Sequence, residues 1–318
     1  MKLTEQEIRK YIKGYFCYDC AIRASNVFSF VLVQNRNGAV EPKKRLINFF
    51  PQDAAGDRFG AADLEGFASP LLAIATKPIE KAILVGMDCG VAALGAGPGS
   101  GLQDKIPNGN HDKPIFGGVA GAASINGYVY VVGGWRHVAK RTDTNKWIAV
   151  HDRKSMPIPI GKGPINYDGF RAIAGFSEDD IYCVGGNGDA WRYDGSKWHQ
   201  CPLPTNMDLY SICCAEDGFV YIGAQSGSII KGRGDKWQVI HKGNLTLPFK
   251  DLVWFDGRVW CTSDYGLWTI EKDKLVQSEL PAEVTVCSGN LAAGFGKLLL
   301  AGFHGATVYD GKKWERLI

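Results

Sequence analysis

Between residues 208 and 246 the apolar and polar positions fall into four short runs, "LYSICCA", "FVYIGA", "SIIKG" and "KWQVIH", separated by "EDG", "QSG" and "RGD". Runs of about five residues bounded by turn residues predict strands, because a helix of a mixed α/β protein needs ten or more positions. The pairs Asn126-Gly127, Asp217-Gly218, Asp256-Gly257 and Asp310-Gly311 supply the positive φ angles of tight hairpins. Each segment of this kind is therefore an antiparallel meander of four strands.

The same grammar recurs along the chain. A glycine closes the second apolar run at Gly86, Gly133, Gly185, Gly223 and Gly302, with Thr262 filling the series, at spacings of 47, 52, 38, 39 and 40. The fourth run carries a second marker at Trp147, Trp198, Trp237, Leu275 and Trp314, spaced by 51, 39, 38 and 39. Two independent markers keep one period, and a repeated four-stranded unit of roughly 40 residues predicts a β-propeller. Five units are clear between 118 and 318, and a sixth occupies about 67 to 107. The strand-like "VFSFVLVQN" and "RLINFF" make 15 to 60 a divergent further blade. The expectation is an all-β propeller of seven four-stranded blades, with six as the alternative. It forms one domain over 15–318, preceded by a helix within 1–14. Thr4 and Glu7 give that helix a capping box, with Leu3 and Ile8 placed as its hydrophobic staple.

"VYVVGGWRHVAKRTDTNKWIAVHDRKSMP" (129 to 157) resembles a kelch repeat in its paired glycines Gly133-Gly134, its Asp143 to Trp147 hairpin and the proline that follows. The unit at 181 to 204 is similar to a shorter bacterial-type blade reading apolar-Gly, small-Gly and then "YDG..W". The resemblance implies a propeller and leaves function open, because propellers host binding modules and enzymes alike.

Composition narrows the classes. With 45% hydrophobic and 22% charged residues the chain has the profile of a globular protein with a large core. A net charge of +3 is too small to call for a nucleic acid or a membrane surface as partner. Six Lys or Arg against two Asp between 136 and 154 are expected to form a solvated outer face, with Lys140 and Arg141 on an outer strand. The first residues lack the apolar core of a signal peptide, and nine cysteines, an odd number, lie mainly in apolar runs. A cytoplasmic protein with reduced cysteines is expected, monomeric by itself.

No constellation for catalysis, metal or cofactor stands out. Cys17-Tyr18-Asp19-Cys20 is a C-x-x-C without a second pair or nearby histidine, so its cysteines are read as strand packing. "GAGPGSG" (95 to 101) lacks the Lys-Ser/Thr and the helix that phosphate cradling requires. The candidate site is instead a face. In a meander propeller the turns after each glycine-marked strand share one face with the linkers between blades. They gather Trp135, Arg136, His137, Asp189, Gln225, Asp264, Tyr265, Phe303 and His304 there. The insertion 151 to 170 adds Met156, Ile158, Ile160 and Tyr167, apolar or aromatic side chains in a segment expected to face water. Exposed aromatics and arginine are the usual anchors of protein interfaces. The chain therefore reads as a non-enzymatic propeller that binds a partner protein through its loop-rich face, as an inhibitor such as an immunity protein that neutralises a toxin would. The alternative is a propeller enzyme acting on a sugar or other small substrate in the central channel.

Overall fold

The computed structural model describes residues 2–35, 41–110, 112–158 and 169–318. Seven antiparallel sheets of four strands follow one another along the chain, at 15–64, 71–103, 119–149, 170–200, 209–241, 251–277 and 289–316. They are blades 1 to 7 of a β-propeller, and the two divergent N-terminal segments are blades 1 and 2. In every sheet the strands pair in chain order, so each blade is a meander from an inner strand on the channel to an outer edge.

Each sheet exposes two apolar faces that the neighbouring blades must cover, and the repeat markers sit where they do so. Trp147 of blade 3 packs into the cluster holding Ile83 and Val85 of blade 2. Trp198 of blade 4 packs against blade 3 residues and donates its Nε1–H to the Val150 carbonyl at 3.1 Å. Trp237 meets Tyr182 of blade 4 edge-on at 6.2 Å, and Trp314 meets Trp260 of blade 6 at 6.5 Å. Trp147 and Trp198 are buried, whereas Trp237 and Trp314 are half-buried. Blade 2 has no such marker, and Leu102 on its outer strand is 73% exposed.

The glycine series has a steric cause. A Cβ at Gly133, Gly185 or Gly302 would lie 2.1, 2.1 and 2.0 Å from the carbonyl oxygens of Gly118, Gly169 and Ser288, the residues just before the inner strands of the same blades. Gly302→Ala should therefore cost about 1–3 kcal/mol by overpacking, read as a lower midpoint in urea. An unchanged midpoint would show that the Ser288 backbone can move aside.

Ring closure uses no exchanged strand among the described residues. Blade 1 and blade 7 meet through a shared cluster that includes Phe28, Phe30, Leu299 and Val308. Two bonds from blade 7 cross the seam, from Asn290 Nδ2 to the Tyr18 carbonyl at 2.8 Å and from Lys297 Nζ to the Ser25 carbonyl at 2.6 Å. The N-terminal helix covers the same region. Its capping box is present, Thr4 Oγ1 accepting from the Glu7 amide and Glu7 Oε2 from the Thr4 amide. After Glu5–Glu7 the helix widens into a π-turn over Ile8–Ile12, closed by the Lys13 amide on the Ile8 carbonyl at 2.7 Å. Tyr11 stacks on Phe59 of blade 1 at 4.6 Å, and Arg45 Nη1 donates to the Lys10 and Tyr11 carbonyls. Ile8, placed in the sequence as the staple partner of Leu3, is 42% exposed and lines the same groove as Leu3.

All nine cysteines are free thiols, and eight are buried. Burial raises the thiol pKa of Cys17 and Cys20, as the strand-packing reading of C-x-x-C requires. The basic stretch departs from expectation. Arg141 is 2% exposed with its guanidinium on Gln103 Oε1, because it lies on the third strand at the interface with blade 2 rather than on an outer strand. The glycine-rich 95–101 segment wraps a buried lysine: Lys81 Nζ donates to the carbonyls of Ala96 and Gly97 and to Ser100 Oγ.

Candidate functional site

Because strands alternate direction, the turns between second and third strands and the linkers between blades emerge on one face. Hydrogen bonds tie the two sets together. The Met87 amide bonds to Ala68 at 2.7 Å, Gly134 to Phe116 at 3.1 Å, Gln225 to Asp208 at 2.8 Å and Leu245 to Ser226 at 2.9 Å. This loop face is a continuous surface, and the residues expected there divide into three groups.

The first group serves the fold. Trp135 and Arg136 have φ of 54° and 57°, two consecutive left-handed residues in a turn closed by the His137 amide on the Gly134 carbonyl. Such a conformation costs energy in non-glycine residues and persists only where its surroundings enforce it. Here Trp135 stacks on Phe116 at 3.6 Å, and Arg136 forms a bidentate pair with Asp189 at 2.7 and 2.8 Å while lying over Trp191. Arg136 and Asp189 thus lie where blades 3 and 4 meet, not as free anchors, and Ile158 in the linker between these blades is half-buried. Two expectations are corrected: His137 and Met156 are both 0% exposed. Met156 fills the cluster between blades 3 and 4, an apolar side chain drawn out of the linker into a core it can complete. His137 lies 4.1 Å from the ring of His151; burial, then His151 and Arg153, push its pKa down to about 3. Its folded value is below the ordinary 6.5, so the stability tied to the neutral ring is complete above pH 6.5 and is lost as pH falls toward 3.

Ile160 and Tyr167 form the second group and lie outside the described residues. The third group remains accessible. Gln225, Asp264, Tyr265, Phe303 and His304 are exposed on the loop face, Tyr265 by 72% and Phe303 by 60%. The structure adds residues that the sequence reading missed: Leu247 and Val286 in the linkers flanking blade 6, and Ile8 on the N-terminal helix, exposed by 39%, 44% and 42%. "NLTLPF" alternates apolar and polar positions around Leu247, a signal that could have marked it. Together these side chains make an apolar sector running from blade 6 across blade 7 to the N-terminal helix. Lys250 and Asp264 pair at 2.6 Å within it.

Among the residues lining the central channel, of about 1190 Å³, are Asp19 and Asp251, also absent from the expected site. A β-bulge between Cys17 and Asp19 turns Asp19 toward the channel. There Asp19 Oδ2 accepts from the Leu72 amide of blade 2 at 2.7 Å, and Asp251 Oδ2 accepts from the Leu291 amide of blade 7 at 2.9 Å. With Asn290 on Tyr18, these bonds stitch blades 6, 7, 1 and 2 across the closure. Both acids touch channel solvent yet are enclosed by protein. Burial and the charge of Asp251 push Asp19 up to about 8, and burial pushes Asp251 up to about 6. Asp19 lies above its ordinary 3.8 in the folded state, so its contribution to stability is complete below pH 3.8 and is lost as pH rises through 8. Urea unfolding at pH 4, 6 and 8 should show wild type losing stability relative to Asp19→Asn as pH rises. A constant difference between the two would contradict it.

No family model matches the chain. Solved structures similar to it include the WD40 β-propeller domain of Doa1, at a TM-score of 0.57 and 12% identity over 94% of each chain. YCF48 bound to D1 peptide matches at 0.52 and 14% identity over 80% of this chain and 82% of that one. The extracellular domain of a B. thetaiotaomicron hybrid two-component system matches at 0.58 and 13% over 93% of this chain and 38% of that longer one. At such identities they speak for the seven-bladed fold alone. A curated protein speaks for more: the immune protein Tsi7 of Pseudomonas aeruginosa is 33% identical over 241 residues, 76% of this chain and 77% of that protein. Identity of that level sustained over most of both chains makes this propeller a member of the family of the immune protein Tsi7.

Proposed function

We propose that the protein is itself an immunity protein, which binds a toxin protein through its loop face and thereby neutralises it. The observation that carries this reading is the membership in the Tsi7 family, whose named relative is an immune protein. The loop face supplies the means. Tyr265 and Phe303 are large exposed side chains, rimmed by Gln225, Asp264 and His304. Protein interfaces concentrate their energy in such anchors. The same reading places the protein in the cytoplasm, meeting its toxin as a folded monomer, and treats the kelch-like spelling of blades 3 and 4 as scaffold. The channel acids Asp19 and Asp251 already accept backbone amides between blades, so a structural role accounts for them without a reaction.

The test is survival. Bacteria producing the toxin should form colonies when this chain is co-expressed and fail to do so when it carries Tyr265→Asp with Phe303→Asp. Lys312→Ala, in the turn between the last two strands on the opposite face, should protect like wild type. Equal protection by the double variant would move the interface off the loop face, and no protection by wild type would remove the immunity reading.

A further inference from the structure

The apolar sector ends in a groove of about 660 Å³ between the N-terminal helix and blade 7. Leu3, Ile8 and Ile12 form one wall, Phe303 and Leu317 the other, and Phe16 lies between, stacked on Phe303 at 5.0 Å. The π-turn shapes the first wall. Its wider winding lets Tyr11 face blade 1 while Ile8 and Ile12, four residues apart, both line the groove. A volume of this size is within the roughly 300–1,000 Å³ of ligand pockets.

The charged side chains that line the groove have one sign. Lys2 and Arg316 line it, and no aspartate or glutamate does among the described residues. Arg316 is held by the main-chain oxygens of Glu283, His304 and Ile318, which orient its guanidinium without supplying a carboxylate side chain. On the helix itself Arg9, Lys10 and Lys13 are exposed against Glu5, while Glu7 is buried in the capping box and beside Arg58 at 3.5 Å. An occupant therefore gains by bringing apolar side chains for the walls and carboxylates for the rim.

We infer that the groove takes up a segment of the toxin protein that carries apolar anchors flanked by aspartate or glutamate; the inference rests on the reading of the loop face as the toxin-binding face. Helix-in-groove recognition reads such a segment as apolar residues at i, i+3, i+4 and i+7. The groove continues from Phe303 into the exposed sector, so one partner covers both.

The test uses two synthetic 16-residue peptides with leucine at i, i+3, i+4 and i+7. One carries glutamate and the other lysine at the remaining charged positions, and both are titrated calorimetrically into the full chain. The glutamate peptide should bind at least tenfold more tightly than the lysine peptide. Ile8→Asp and Phe303→Asp, at exposed positions that spare the fold, should each weaken it tenfold or more. Lys2→Glu should weaken it several-fold, with a loss that shrinks in 0.5 M salt. Lys312→Ala, in the turn on the opposite face, should leave it unchanged. Absence of binding, equal affinity for the two peptides, or indifference to Ile8→Asp and Phe303→Asp would overturn the inference. The peptides need no toxin, so failure here leaves the survival test of the loop face standing, and failure there does not alter this result.

Discussion

Trp198→Ala should destabilise the propeller by about 3–5 kcal/mol, the usual cost of deleting a buried aromatic side chain. The ring is 2% exposed, lies 5.1 Å from Tyr193, and donates to the Val150 carbonyl, so the deletion opens a void and leaves an acceptor unpaired. Its neighbours are strands of two blades, which cannot collapse into the space without breaking their own ladders. Trp314→Ala should cost less, because that ring is only half-buried. A calorimetric or urea melt of both variants checks the order, and equal small losses would show that the outer tryptophans do not seal the blades.

The second large effect is on binding. Tyr265→Ala and Phe303→Ala should each weaken the toxin complex by at least ~2 kcal/mol, or about 30-fold in Kd, as truncation of a central aromatic anchor does. Tyr265 is 72% exposed, so its loss should leave melting unchanged, whereas Phe303, 60% exposed, also stacks on Phe16 and its loss should lower the melting point slightly. Trp135→Ala should behave in the opposite way. Its stacking on Phe116 helps to hold a turn with two left-handed residues, so stability falls and binding changes only with it. Titration calorimetry beside a circular-dichroism melt of each variant separates the two kinds of residue. Loss of affinity for Trp135→Ala without loss of stability would restore blades 3 and 4 as the contact region.

The fold was legible because a propeller writes its constraints locally. Gly133, Gly185 and Gly302 mark the same backbone contact in three blades, and the tryptophans mark the same seam between sheets. The site was legible only in part. Phe303 follows directly on a glycine-marked strand and Tyr265 lies in the equivalent turn after Thr262, and their place on the loop face comes from topology alone. Trp135, Arg136 and Met156 have the same composition of anchor residues, yet they are used by packing, and nothing in their spelling separates the two uses. Contacts across the closure could not be read at all. Asn290 and Tyr18 are 272 positions apart, and Asp19 attracted notice only as a spacer between two cysteines. The groove beside the N-terminal helix depends on a π-turn that no capping box announces.

Hydrogen-exchange mass spectrometry of the protein with and without bound toxin tests the central claim most directly, because it locates the interface without altering a residue. The account predicts slowed exchange in 242–250, 263–266, 278–288 and 303–305 and in the helix at 5–13, with little change in the turns of the opposite face around Phe176, Phe219 and Phe295. Protection confined to those opposite turns, or to the outer strands of the blades, would contradict it.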